Sequence, residues 1–164
     1  MKTETNEDFK LLVQQLEALI GEENNALANA ANFVGLLYHA LANVNWLGIY
    51  VLRDNELVLG PFQGQPACVR IPLGRGACGT AAKLLQTVRV ADVHAFAGHI
   101  ACDPASRSEI VVPLTLHGQL AGVLDIDSPS LDRFTEADQQ GVEWLCRHFT
   151  ADLERKGVHA TAFI

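Results

Sequence analysis

A two-residue His117-Gly118 step joins two apolar, β-branched runs, residues 110–116 and 120–126, and it constrains this chain more than any other stretch. Strands linked so tightly can only turn back on each other, so the sheet they enter is antiparallel. A second pair makes the same demand. Residues 46–52 and 57–62 flank the polar turn Arg53-Asp54-Asn55-Glu56. Shorter runs at 67–72 and 88–90 read as additional strands.

Helical periodicity fills the rest. Residues 8–20 carry Phe9, Leu12, Val13, Leu16, Leu19 and Ile20 at helical spacing, until Gly21 breaks the pattern. A second, alanine-rich helix runs from about Asn25 to near Asn43, with a broad apolar face suited to lie on a sheet. A third starts near Ala77 and Cys78 and reaches about Gln86. Thr135 caps the last, with Asp138 three positions on as in a capping box. That helix extends to about Lys156, and residues 157–164 are expected to be a loosely held tail. The order predicts an α+β fold, a central antiparallel sheet with helices gathered on one face. The other face is free for a pocket under loops, chiefly the long polar connection 91–108. With 164 residues, 49% of them apolar, the whole chain is expected to form one domain.

Charge excludes one class of partner. The net charge is −7 and no block of Lys or Arg occurs, so the basic footprint of a nucleic-acid binder is missing. The polar, acidic start lacks a secretory signal, and no apolar run is long enough to span a membrane. The expectation is a cytoplasmic protein. In that reducing compartment clustered cysteines point to metal or redox chemistry rather than to permanent disulfides.

Three cysteines cluster: Cys68, Cys78 and Cys102. They contain no C-x-x-C pair, so zinc-ribbon spacing is missing, and nothing in the spacing of His94 and His99 demands a metal. Gly74-Arg75-Gly76-Ala77-Cys78-Gly79 matches G-x-G-x-x-G. The preceding Cys68-Val69-Arg70-Ile71-Pro72 suits a buried parallel strand poorly, so these glycines are expected to shape a turn at a helix start. Redox chemistry fits better. Cys78 falls in the first turn of a helix, where the dipole favours thiolate. Cys102 lies in a loop of small residues, open to attack and exchange. Cys146, between Leu145 and Arg147, reads as ordinary packing.

Alternation supplies the neighbours. Asp125 and Asp127 share one face of their strand, with Leu124 and Ile126 on the other. Paired carboxylates repel, which should raise one pKa and provide a proton donor near neutral pH. Glu109 is harder to place. A simple hairpin pairs Leu116 with Gln119 and sets Glu109 opposite Ile126, on the wrong face. A bulge near Pro113 would correct this. Trp46, Gly48 and Tyr50 share the face opposite Leu47, Ile49 and Val51, and the glycine leaves room between the two rings. They read either as core aromatics or as a pocket wall.

At these residues the chain resembles the free methionine-(R)-sulfoxide reductases built on a GAF domain. The resemblance is carried by Asn45-Trp46-Leu47-Gly48-Ile49-Tyr50, Gly74-Arg75-Gly76-Ala77-Cys78-Gly79-Thr80-Ala81, Gly98-His99-Ile100-Ala101-Cys102-Asp103, Ser108-Glu109-Ile110-Val111-Val112-Pro113-Leu114 and Gly122-Val123-Leu124-Asp125-Ile126-Asp127-Ser128. It spans roughly residues 30–150. It implies a GAF-like fold and reduction of free L-methionine-(R)-sulfoxide. By resemblance Cys102 is the nucleophile, Cys68 the main resolving thiol that forms a Cys68–Cys102 disulfide, and Cys78 a secondary resolver. Glu109, Asp125 and Asp127 would hold the ammonium and the sulfoxide and supply a proton. Trp46 and Tyr50 would pack on the S-methyl end, and backbone N–H groups around Ile100, Ala101 and Cys102 would bind the carboxylate. No metal or organic cofactor is implied. Electrons would come from thioredoxin or a similar dithiol, and a homodimer is compatible with the resemblance. A GAF domain that senses a small ligand without chemistry is the competing reading, and the lack of an output domain argues against it.

Overall fold

The computed structural model describes residues 5–100 and 102–164. In chain order the elements are α1 (Asn6–Ile20), α2 (Ala26–Ala40), β1 (Trp46–Arg53), β2 (Glu56–Gln63), β3 (Arg70–Pro72), α3 (Gly76–Leu84), β4 (Val88–Val90), β5 (Ser108–Leu116), β6 (Gln119–Ser128) and α4 (Glu136–Arg155). Short 3₁₀ turns occur at Val93–Ala95 and Ala160–Ala162. The strands form one antiparallel sheet in the order β3-β2-β1-β6-β5-β4.

Capping boxes start the two outer helices. Thr5 and Asp8 satisfy each other's backbone N–H groups at α1, and Thr135 and Asp138 do so at α4. On one side of the sheet α1, α2 and α4 bury Phe9, Leu16, Phe33, Leu37, Leu145 and Phe149 against Leu47, Ile49, Leu124 and Ile126. Gly141 lets α1 and α4 touch, because a Cβ there would sit 2.3 Å from the Phe9 ring. The remaining helix, α3, lies on the opposite side. There Ala77, Cys78, Ala81 and Ala82 pack with Tyr50, Val111 and Val123. The site face thus has a helical lid of its own at one end, in addition to the expected loops.

Two details differ from the sequence reading. Residues 157–164 are not loosely held. Phe163 is 1% exposed and meets Phe149 edge-on, Ala160 is buried, and the Ile164 carbonyl accepts a hydrogen bond from Arg53. The tail carries an apolar anchor that its short length concealed. Cys68 also lies outside a strand, because β3 starts at Arg70 and backbone bonding to β2 reaches only as far as the Val69 carbonyl among the described residues.

Candidate active site

The site face is organised by β6. Asp125 and Asp127 point away from the core that holds Leu124 and Ile126. Glu109 joins them through a register shift. Leu116 pairs with Gln119 and Thr115 with Leu120, but Leu114 pairs with Gly122, so Ala121 is an extra residue on β6. Glu109 therefore sits opposite Asp127. The expected correction occurs, but in the partner strand and not at Pro113. Close approach explains the place: a Cβ at Gly122 would lie 2.2 Å from the Tyr50 carbonyl oxygen, so only glycine lets β6 hug β1 there.

Across this acidic floor lies α3. Gly74 and Gly76 adopt φ of +82° and +62°, and Gly79 approaches the Pro72 carbonyl too closely for a Cβ. The glycine pattern thus makes the tight entry to a helix, as read from the sequence. Cys78 in its first turn is buried, with Sγ 3.9 Å from Glu109 Oε1 as a thiol donor to a carboxylate. The expectation of a thiolate at Cys78 does not hold. Burial pushes its pKa well up, and the nearby Asp125 and Glu109 carboxylates push it further. These outweigh the pull of the helix end.

The carboxyl groups respond to the same enclosure. Burial lifts Glu109 to about 7, although hydrogen bonds with Asp125 and Cys78 pull the other way. Asp125 and Asp127 are raised well above the usual range, first by burial and then by neighbouring carboxylates. Repulsion, the cause read from the sequence, is second to desolvation.

The connection 91–107 closes the site. Asn45 Nδ2 donates to Asp103 Oδ2 at 2.9 Å and to Ser106 Oγ at 3.1 Å, which ties the loop to the start of β1. Cys102 is linked to Cys68 by a disulfide with Cα atoms 5.4 Å apart. The Tyr50 hydroxyl donates to the Cys68 carbonyl at 2.9 Å, so a predicted pocket residue also braces the disulfide. Tyr50, Cys78, Ile100, Cys102, Glu109, Asp125 and Asp127 all line one cavity of about 30 Å³, room for about two water molecules.

Trp46 does not line that cavity. Its ring stacks on Tyr50 and Phe62 at 5.9 and 5.6 Å, and Nε1 donates to the Gln65 carbonyl. The space expected over Gly48 is filled, since a Cβ there would meet the Trp46 ring at 2.5 Å and Phe62 at 2.6 Å. The backbone N–H of Cys102 donates to the Ile100 carbonyl at 3.1 Å, and Ala101 lies outside the described residues. Sequence reasoning missed Arg75, His99, Asp103 and Ser106, which also line the cavity. Arg75 stands within the glycine loop, exposed at its rim. Burial and His94 lower the His99 pKa. His99 and Asp103 flank the nucleophile candidate in the chain, a signal that was available; Ser106 offered none.

One chemical arrangement follows. A Cys68–Cys102 disulfide lies beside carboxyl groups whose pKa values burial raises. Cys78, Glu109 and Asp125 also present ligand-type atoms within 4.8 Å of one another.

The GAF domain family profile matches residues 9–153. Protein YtsP of Bacillus subtilis is 56% identical over 135 residues, covering 81% of this chain and 83% of that protein. A free methionine-R-sulfoxide reductase of Escherichia coli is 53% identical over 154 residues, covering 94% of this chain and 89% of that protein. The structure of fRMsr of Staphylococcus aureus in complex with substrate superposes with a TM-score of 0.87 at 46% identity, covering 93% of this chain and 99% of that one.

Proposed function

We propose that this chain, which belongs to the GAF domain family and within it to the free methionine-R-sulfoxide reductases, reduces free L-methionine-(R)-sulfoxide through a cysteine relay. The Cys68–Cys102 disulfide beside three enclosed carboxyl groups is the observation that carries this reading.

Cys102 attacks the sulfoxide sulfur while a carboxylic acid protonates the oxygen, a poor leaving group without that proton. The oxygen passes to Cys102 as a sulfenic acid and methionine departs as the thioether. The Cys68 thiol then displaces water from Cys102, forming the disulfide, and a dithiol of the thioredoxin type returns both thiols. Atoms balance: sulfoxide and dithiol give thioether, disulfide and water. Cys78, held protonated by its surroundings, comes second to Cys68 as a resolver. Glu109, with its pKa at about 7, is the donor best matched to neutral pH.

Selectivity for the free amino acid follows from charge. Its ammonium group relieves the crowding of Glu109, Asp125 and Asp127, and a peptide-bound residue lacks that cation. The α-carboxylate faces the loop, towards the backbone at Ile100 and Cys102 and the Arg75 guanidinium at the rim. Tyr50 walls the S-methyl end, with Trp46 packed behind it. In the disulfide form the cavity of about 30 Å³ is too small for the substrate, and reduction of the disulfide precedes entry. A dithiol donor of this kind places the working protein in a reducing compartment such as the cytoplasm.

Supplying free R and S sulfoxides separately, with thioredoxin and its reductase, tests the reading by methionine release. The R isomer alone should be consumed. Silence on both isomers would overturn it.

A further inference from the structure

We propose that Cys78, Glu109 and Asp125 form a binding site for a thiophilic divalent cation of the zinc class, available while Cys68 and Cys102 are joined. The inference is independent of the reductase reading, because it rests on the cluster itself. One sulfur and two carboxylate oxygens from these residues lie within 4.8 Å of one another. They come from α3, β5 and β6, so each donor is carried by a regular element. Tetrahedral zinc ligands stand about 3.4–3.7 Å apart, given bonds of about 2.1 Å to oxygen and 2.3 Å to sulfur. Closing by about 1 Å would complete the set, a movement within the reach of side-chain torsions.

A second observation points to a ligand at this place. Asp125 is 6% exposed and lines the cavity, yet its Oδ1 has no hydrogen-bond partner among the described residues. A buried carboxylate oxygen in that condition is costly unless something binds it. The cluster also concentrates acidic groups, and no Lys or Arg forms an ion pair with Glu109, Asp125 or Asp127 among the described residues. A cation supplies what the fold does not.

The donor set selects the metal. One thiolate with two carboxylates suits zinc or cobalt, whereas magnesium and calcium take oxygen alone. The cavity of about 30 Å³ leaves room for a water as fourth ligand, though not for an amino acid. On binding, the Cys78 thiol proton and any carboxyl proton on Glu109 and Asp125 pass to solvent as the metal–sulfur and metal–oxygen bonds form, with no change of oxidation state. Affinity therefore rises with pH.

The oxidised protein isolates the test, since Cys68 and Cys102 cannot be thiolate ligands there and Cys146 lies in the other core cluster. Co²⁺ is titrated into the disulfide form and the thiolate-to-cobalt charge-transfer band is followed in the near ultraviolet. One Co²⁺ per chain is expected, displaced by Zn²⁺. Cys78→Ser should abolish the band, and Asp125→Asn should weaken binding at least tenfold in a protein that still forms the Cys68–Cys102 disulfide. Glu109→Gln, should Asp125→Asn not fold, serves the same purpose. A missing band, a band that survives Cys78→Ser, or a band lost in Cys146→Ser would overturn the site. So would unchanged affinity in the folded carboxylate variant.

Discussion

Glu109 and Asp127 face each other directly across β5 and β6, two carboxyl side chains as cross-strand neighbours on a covered sheet face. Like charges in that relationship destabilise a sheet. The pair persists because enclosure favours the neutral acid, and the same enclosure makes a proton available for chemistry.

Titration of Glu109 should thus be visible in stability. Its folded pKa of about 7 lies above the ordinary carboxyl value of 4.5. Between those values the native state binds more protons than the unfolded chain, so stability falls as pH rises. The contribution is fully present below about 4.5 and lost as pH climbs through about 7. Glu109→Gln should remove that decline and raise stability at pH 8 by roughly 3 kcal/mol. It should also cut kcat/KM at least a hundredfold, because the amide cannot donate the proton. Thermal melts of the disulfide form from pH 5 to 8, beside steady-state rates, check both signs.

The two linked cysteines should separate by stoichiometry. Cys102→Ser should abolish turnover. Cys68→Ser should release about one methionine per chain when no reductant can recycle the sulfenic acid. Quantifying methionine from a single turnover, with a sulfenic-acid trap, distinguishes the roles; multiple turnovers by Cys102→Ser would refute the relay.

Arg75 should recognise charge on the substrate. Replacing it with alanine should raise KM about tenfold for the free amino acid while kcat changes little, the pattern of lost uniform binding. The methyl ester of the substrate lacks the carboxylate and should be indifferent to the substitution. Equal KM increases for acid and ester would assign Arg75 to loop structure instead.

Strand alternation and the capping box at Thr135 were legible in the sequence, because each depends on residues a few positions apart. That is why Asp125 and Asp127, and the helix start at Thr135, could be placed, whereas the Thr5 cap of α1 emerged only from the structure. Glu109 could not, since its face depends on an extra residue at Ala121 that accommodates contact between Gly122 and Tyr50, far apart in the chain. Cys78 misled for a related reason. Its helix-end position is local, whereas the burial and carboxylates that raise its pKa come from β5 and β6. Trp46 looked available because the sequence does not reveal Phe62 filling the space over Gly48.

The contact at Gly122 makes its own prediction. Gly122→Ala would press a methyl group against the Tyr50 carbonyl and part β1 from β6. A loss of roughly 3 kcal/mol is expected, at the upper end for overpacking. Activity should fall with it, since Tyr50 and Asp125 ride on those strands. Gly35→Ala in α2 is the contrast. A Cβ there meets nothing within 4 Å, so the change should stabilise by about 0.5–1 kcal/mol through helix propensity. Urea denaturation of the two variants checks the opposite signs.

Phe163 should behave as core despite its place one residue from the end. Its ring is 1% exposed and lies 6.2 Å from Phe149, which in turn stacks on Phe33 at 4.4 Å. The chain end is therefore joined to the packing between α2 and α4. Phe163→Ala should cost roughly 3 kcal/mol, within the range for a large buried aromatic. Exposed Leu131, at 45%, should tolerate alanine with a change of about 0.5 kcal/mol or less. A loosely held tail would make the two substitutions equivalent, so their difference in denaturation midpoint, at unchanged slope, decides whether residues 157–164 belong to the cooperative unit.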